Sequence, residues 1–451
     1  MTPRTFRAKL RHGARAACSA ALLSLLLLVL APDMAHAYLD PGTGSMLLSA
    51  LVGIAATGFF MVKTFYYKIA GIFYRLTGTA APSNGKNAIV FHSEGRQYWN
   101  TFKPVLEALD GMGVKAAYLT SGEDDPGLTH PFSHVTARYI GTGNRAFAAM
   151  NTLEACVCVT TTPGLDVLQI KRSPGVAHYI HLVHAPTDMA VYRLYSFDWF
   201  DSIMCSGPHQ ERSILYLEQL RKTPEKILFR TGCPYMDVLA EELEQAPRFE
   251  KTVQDSAVTR VLVAPTWGAN GLLRRFGMDL LGPMAKAGLA VTIRPHPQSR
   301  VSEPGLLSAF AKALAPYPNV TWNDATSPFP AMTVSDVLIS DLSGIVFDYA
   351  FILERPVITI AMDVDARGME AGDLPYPAWE LTKLPELGAH IRPEEIHDLP
   401  AVIAGLPEAG AFAERMRVLR NASLYNYRSS GSVAARQLLE LRSSLLATDS
   451  K

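Results

Sequence analysis

Four polar clusters, each closing an apolar run, carry residues whose types and spacing suit chemistry on a phosphate. In the stretch Val334–Ala350 the run Val337 to Ile339 ends in Ser340, Asp341, Ser343 and Gly344, and an apolar pattern with helical spacing resumes at Ile345, Val346 and Tyr349. A strand, a tight turn and a helix N-terminus leave backbone N–H groups to meet an anion, which the helix dipole favours. Ser340, Ser343 and the backbone at Gly344 would then bind a diphosphate, although the same Ser/Gly turn also serves plain packing in α/β proteins. Asp348 lies one helical turn beyond Gly344. It is comfortable beside phosphate only if it faces a hydroxyl of a polyol or ribose. The plainer readings are a partner for Arg355 or an exposed helix charge. Asp341 reads as a helix N-cap.

The second cluster, Thr292-Ile-Arg-Pro-His-Pro297, puts Arg294 and His296 on one side of an extended segment stiffened by Pro295 and Pro297. A cation and an imidazole together suit a phosphate whose charge rises as a bond breaks; an Arg–carboxylate bridge beside a satisfied His is the structural alternative. In the third, Val263-Ala-Pro-Thr-Trp-Gly268, the Thr266 hydroxyl could bind phosphate, and Trp267 could line a cleft or sit in the core. The fourth is Tyr179-Ile-His-Leu-Val-His-Ala-Pro-Thr187. His184 ends an apolar strand before Pro186, where an imidazole near neutral pKa takes a proton from an attacking hydroxyl, or else only caps the loop. His181, three residues earlier, is expected on the opposite face in a structural role. No carboxylate pair has metal-ligand spacing, and no Ser-His-Asp constellation is recognisable.

The elements that position these clusters alternate. After a Gly/Ala/Pro/Ser linker over 77–86, candidate strands are Asn87–His92, Lys115–Thr120, Cys156–Thr161, Ala177–Val183, Ser202–Ser206 and Ile227–Thr231, with amphipathic stretches such as Tyr98–Leu109 between them. A charged connection over 241–258 leads to a second series: Arg260–Pro265, Ala290–Arg294, Asn319–Trp322, Asp336–Ser340 and Pro356–Ile360, closed by a helical tail from Ser432 to Leu446. Alternation of this kind predicts parallel sheets flanked by helices. The expectation is two doubly wound, Rossmann-like α/β domains, 87–240 and 259–446, with ligands outside the carboxyl ends of the strands. All four polar clusters fall at such ends.

At 451 residues the chain can bury two or three cores. Its 42 basic and 42 acidic residues balance, so no global field favours nucleic acid. Cysteines stand at 18, 156, 158, 205 and 233. Cys156 and Cys158 are expected on one sheet face, and none of the five has zinc-site spacing. They read as buried apolar residues in a reducing compartment.

The N-terminus differs from the rest. Arg4, Arg7, Lys9, Arg11 and Arg15 precede an apolar run over 16–31, and Ala35-His-Ala37 follows with the form of a signal-peptidase site. Residues 1–37 thus read as a signal-like or first membrane segment. A second apolar run, 46–62, is followed by Lys63, Lys68 and Arg75 among Phe65, Tyr66, Tyr67, Phe73 and Tyr74, so 38–76 reads as a transmembrane helix with an interfacial helix. The charge bias places residues 63 onward on the cytoplasmic side of the cell membrane whether or not the first run is cleaved. A secreted protein using the second run as a core helix is the alternative.

Taken together, Gly232-Cys-Pro-Tyr-Met-Asp237, Ala264-Pro-Thr-Trp267, Arg294-Pro-His-Pro297 and Ser335–Tyr349 resemble the CDP-glycerol glycerophosphotransferase family, the membrane-associated enzymes that prime and polymerise teichoic acids. The resemblance covers roughly residues 175 to 445. It implies a GT-B-like fold with the active site between two Rossmann-like domains, and transfer of phosphoglycerol, or a related phospho-polyol, from a CDP-linked donor to an acceptor hydroxyl with release of CMP. By the same resemblance His184 is the general base, and Arg294 and His296 contact the donor phosphates. Ser343, Gly344 and Asp348 hold the donor, and the acceptor is lipid-linked or a polymer. A Mg²⁺ could arrive with the donor diphosphate without a protein motif. The chain departs from the family pattern at His184-Ala-Pro-Thr-Asp188, where His-Gly-Thr-Pro and a lysine are usual, at Gly344, where a second Ser is usual, and at Tyr427–Ala435. These departures leave two alternatives: a GT-B glycosyltransferase using a nucleotide sugar, and a non-catalytic nucleotide-binding relative.

Overall fold

The computed structural model describes residue 85 and residues 88–246, 258–325, 327–362, 366–407 and 409–449, all within one compact unit, Ala70–Lys451. The signal-like and membrane segments expected over 1–76, the linker over 77–86 except residue 85, and the 247–257 part of the expected connection lie outside the described residues. Among the described residues no helix is long and apolar enough to cross a membrane.

Two parallel sheets organise the unit. The first holds β1 (Ile89–Ser93), β2 (Ala116–Thr120), β3 (Val135–Tyr139), β4 (Ala155–Thr160), β5 (Val176–Leu182), β6 (Ser202–Cys205) and β7 (Ile227–Arg230), in the order β3-β2-β1-β4-β5-β6-β7. The second holds β8 (Arg260–Val263), β9 (Ala290–Ile293), β10 (Val320–Trp322), β11 (Val337–Ser340), β12 (Val357–Ile360) and β13 (Gly388–Ile391), in the order β10-β9-β8-β11-β12-β13. Central strands are mainly apolar because helices cover both faces; every residue of β1, β4, β11 and β12 is buried. Strand order reverses between β1 and β4 in one sheet and between β8 and β11 in the other, which opens a crevice at the carboxyl end of each.

The division between the halves differs from the sequence expectation at two places. A helix, Pro234–Gln245, occupies the start of the expected connection, and its Met236, Leu239 and Ala240 pack with Phe347 and Phe351 of the second half. The last helix, Ser430–Asp449, returns to the first half, where Ala434, Ala435, Leu438 and Leu441 join the core of Phe102, Val105 and Leu106. It approaches so closely that a Cβ on Gly431 would lie 2.4 Å from Pro104 Cβ. The crossing is pinned by Asp237, whose carboxylate accepts from Ser430 Oγ (3.1 Å) and Gly431 N–H (2.9 Å). Asp237 therefore joins the helix Pro234–Gln245 to the start of the last helix.

Cys156 and Cys158 do not share a layer. Cys156 packs with Ile89 and Phe91, and Cys158 with Val90 and Tyr179. The N–H groups of Cys156 and Val157 both converge on Ala88 O, a local irregularity that breaks the strand alternation. Both thiols are buried and neither is in a disulfide.

Candidate active site

In the second half, the ends of β8 and β11 are tied together by Asp341. Its side chain is fully buried; Oδ1 accepts from Thr266 N–H (2.8 Å) and Oδ2 from Leu272 N–H (3.2 Å). Asp341 thus serves the start of the short helix Leu272–Arg275, not the helix that follows it in sequence, and burial pushes its carboxyl up to about 6. Ser340 is also turned inward: Oγ donates to Ala264 O at 2.7 Å and is fully buried, so its hydroxyl bonds the neighbouring strand and does not face a ligand. Ser343 and Gly344 remain at the mouth. Gly344 caps the nine-residue helix Ile345–Leu353 with ordinary right-handed dihedrals, and a Cβ there would meet nothing within 4 Å. Among the described residues no acceptor takes the N–H of Gly344 or Ile345, which suits an anion at a helix N-terminus.

Two adjoining cavities share Leu342 and Met369. One, of 270 Å³, is lined from both halves: Thr187 and Val191 on one side; Ser343, Gly344 and Phe347 on the other; Glu380 closes it. The second, of 420 Å³, extends over the ends of β8, β11 and β12, with Thr266, Asn270, Asp341, Met362 and His390 in its wall.

Arg294 and His296 lean apart, contrary to the expectation of a shared side. The Arg294 guanidinium bonds Asn323 Oδ1 and, at 2.8 Å, Ala325 O beyond the end of β10. His296 instead caps the helix Pro297–Ser302. Its Nδ1 accepts from Gln298 N–H at 3.1 Å, which leaves the proton on Nε2, and the ring stands 6.3 Å from that of Trp267, beyond the end of β8. β9 lies between β10 and β8, so successive outward residues reach different neighbours. Burial lowers the pKa of both groups. Neither lines either cavity.

His184 follows β5 and stands edge-on to Tyr98 (ring centroids 5.1 Å apart) and Tyr192 (6.1 Å), with Nδ1 3.5 Å from Tyr192 Oη. Burial pushes its pKa down to about 4, so the ring is neutral at pH 7. His181 also meets Tyr192 (6.4 Å) rather than an opposite face, because the chain leaves β5 after Leu182. It is fully buried, with neither ring nitrogen hydrogen-bonded.

Asp348 does not line either cavity. It is buried against the helix Pro234–Gln245, where Tyr235 Oη donates to Oδ2 at 3.2 Å, Oδ1 has no partner, and burial pushes the carboxyl up to about 7. Arg355 is engaged with Thr333 O and Ser335 O. The residues that sequence reasoning missed are Glu380, Asp188 and Tyr192. Asp188 Oδ2 accepts from Trp379 N–H (3.1 Å), and Glu380 Oε2 accepts from Asp188 N–H (3.1 Å), a reciprocal clasp between the halves. Only the His184–Asp188 stretch carried a signal, as the place where a lysine was expected. Glu380 lies in a segment with no periodicity to draw attention to it. Among the described residues no cluster of three or more His, Cys, Asp or Glu could hold a metal ion.

The sequence model of the CDP-Glycerol:Poly(glycerophosphate) glycerophosphotransferase family matches residues 85–373. A search of curated proteins gives no match. Among solved structures, the wall teichoic acid polymerase TagF soaked with CDPG is similar with a TM-score of 0.51 at 16% identity, over 85% of this chain and 99% of that one. The UDP-GlcNAc 2-epimerase from Neisseria meningitidis bound to UDP-GlcNAc is similar with a TM-score of 0.52 at 12% identity, over 78% of this chain and 100% of that one. At such identities the likeness is one of fold: two parallel-sheet α/β domains of GT-B-like form.

Proposed function

The chain belongs to the CDP-glycerol:poly(glycerophosphate) glycerophosphotransferase family, and from that premise we propose that it moves phosphoglycerol, or a related phospho-polyol, from a CDP-linked donor to an acceptor hydroxyl and releases CMP. The observation that carries the reading is the cavity shared by the two halves, with a helix N-terminus on one wall and the loop following His184 on the other. The donor diphosphate would meet the N–H groups of Gly344 and Ile345 and the Ser343 hydroxyl, where charge growing on the leaving phosphate is stabilised by fixed dipoles.

His184 would act as base. In that role Nδ1–H points to Tyr192 Oη and Nε2 takes the proton of the acceptor hydroxyl as its oxygen attacks the β-phosphorus; the bond from that phosphorus to the bridging oxygen breaks, and CMP leaves. The ring is neutral before the donor arrives, and a diphosphate beside it favours the imidazolium that proton transfer creates. Arg294 would join the phosphates only if its Asn323–Ala325 contact opens, whereas His296 already presents Nε2–H. The basic and apolar N-terminal runs support a membrane-held enzyme working on the cytoplasmic side, where a lipid-linked or polymer acceptor is within reach.

The test is to supply membrane-associated enzyme with an acceptor-containing envelope fraction, CDP-glycerol, CDP-ribitol and a panel of nucleotide sugars, and to identify the nucleotide released. CMP from a CDP-polyol is expected. A nucleoside diphosphate from a sugar donor would overturn the reading in favour of glycosyl transfer. His184→Asn should lower turnover by about 10²- to 10⁴-fold while leaving donor affinity within a few-fold; equal loss of both would contradict the base assignment.

A further inference from the structure

Glu380 has an unusual position for a carboxylate. It is 1% exposed, lies in the short helix Trp379–Lys383, and lines the 270 Å³ cavity. Oε2 is occupied by the N–H of Asp188, and Asp188 in turn receives the N–H of Trp379. The hydrogen bond from Asp188 orients the carboxylate. Oε1 has no partner, and no described ion pair neutralises the group. A buried acceptor left unpaired is costly, and more so when charged. Burial without a cation pushes this carboxyl up to about 7.

The rest of the cavity says what would satisfy it. Ser343, Gly344 and the helix N-terminus, all donors, line the same cavity as Glu380. Val191, Leu342, Phe347 and Met369 supply its apolar lining. The lining therefore suits both an anion and a hydrogen-bond donor. A phosphate against Glu380 would be repelled, and a purely apolar chain would leave Oε1 unpaired. A short alcohol carrying a phosphate satisfies both.

We propose that Glu380 reads a hydroxyl of the transferred polyol, with Oε1 accepting its hydrogen bond while the attached phosphate sits at the N-terminus of Ile345–Leu353. The inference rests on the phospho-polyol transfer reading and adds to it the residue that selects the donor's alcohol. Glu380 is a specificity residue on this account, and takes no proton in the transfer.

Calorimetry with CDP-glycerol, its hydroxyl-free analogue CDP-propanol, and CDP decides the matter in the wild type, Glu380→Gln and Glu380→Ala. A charge-assisted hydrogen bond corresponds to roughly 10- to 100-fold, so the wild type should prefer CDP-glycerol to CDP-propanol by that factor. Glu380→Ala should bring the preference close to one and leave CDP affinity within about threefold. Glu380→Gln keeps an acceptor for Asp188 N–H, and should fall between the two; it decides the question if the alanine variant does not fold. An unchanged preference in a folded variant overturns the inference and leaves the transfer reading standing. A wild type that binds neither CDP-alcohol overturns both.

Discussion

Replacing Asp348 by Asn removes an ionisation from a buried position in the second half while keeping the side chain's shape. Asp348 is 8% exposed; Tyr235 donates to one carboxyl oxygen and the other is unpaired. Burial lifts its pKa from an ordinary 3.8 to about 7, the Tyr235 hydrogen bond only partly opposing it. Because the folded value lies above the unfolded one, the folded state holds the extra proton between them. The stability this contributes is fully present below the unfolded value and is lost as pH rises through about 7. At about 1.4 kcal/mol per unit, ionisation in place costs roughly 4 kcal/mol. Asn stays neutral and still accepts from Tyr235. Asp237, Asp341 and Glu380 are raised as well, so the wild-type pH profile alone does not isolate Asp348; the difference between variant and wild type does. Urea unfolding at a series of pH values should show Asp348→Asn gaining on the wild type by roughly 3 kcal/mol between pH 4.5 and 8.5. Parallel curves, offset by a constant, would refute the argument that this carboxyl is held protonated by burial.

Three further substitutions probe the site and its frame. Gly431→Ala places a Cβ 2.4 Å from Pro104 Cβ and 2.8 Å from its carbonyl carbon, so backbone must move; a loss of about 1–3 kcal/mol is expected in thermal unfolding, with earlier proteolysis of the C-terminal helix, and an unchanged melting temperature would show that the helix is not seated this closely. Ser340→Ala breaks the hydrogen bond to Ala264 O and should cost about 1 kcal/mol of stability with donor affinity unchanged, whereas Ser343→Ala should weaken donor binding several-fold; the reverse pattern in calorimetry would restore Ser340 to the ligand.

The central strands were legible because a parallel sheet buried on both faces leaves mainly apolar runs, and β1, β4, β11 and β12 are such runs. The expected series omits β3 and β13, whose sequences, Val-Thr-Ala-Arg-Tyr and Gly-Ala-His-Ile, belong to half-exposed edge strands with little apolar signal. The positions of the chemical residues were legible at the level of strand ends, while their directions were not. Ser340 and Ser343 are alike in type and three apart, yet one bonds a neighbouring strand and the other faces the cavity. That choice depends on Ala264, which is distant in sequence. Arg294 and His296 separate for a similar reason, since each answers to a different adjacent strand.

The least legible part is the segment that joins the halves, and it bears directly on the site. Glu370 N–H donates to Tyr192 O, Leu194 N–H to Gly368 O, and Ser196 N–H to Glu370 Oε1, while Arg193 and Met369 form an antiparallel bridge. Arg221, 8% exposed, gathers Asp198, Glu370 and Asp373. Trp379 stacks between His209 and Phe347, one from each half. These contacts come from 366–380, after β12, yet they grip the loops after β5. Tyr192, which stands against His184, is thus held by backbone from the opposite half, and Asp188 and Glu380 close the same arrangement from the other side. Their combined effect is to fix the distance between the His184 loop and the helix N-terminus through hydrogen bonds whose partners are more than 170 residues apart in several cases. No local periodicity encodes such a clasp. For a transfer that needs a base and a phosphate site in register, this segment matters as much as either sheet, because a shift of about 1 Å between the reacting groups costs on the order of 10²-fold in rate.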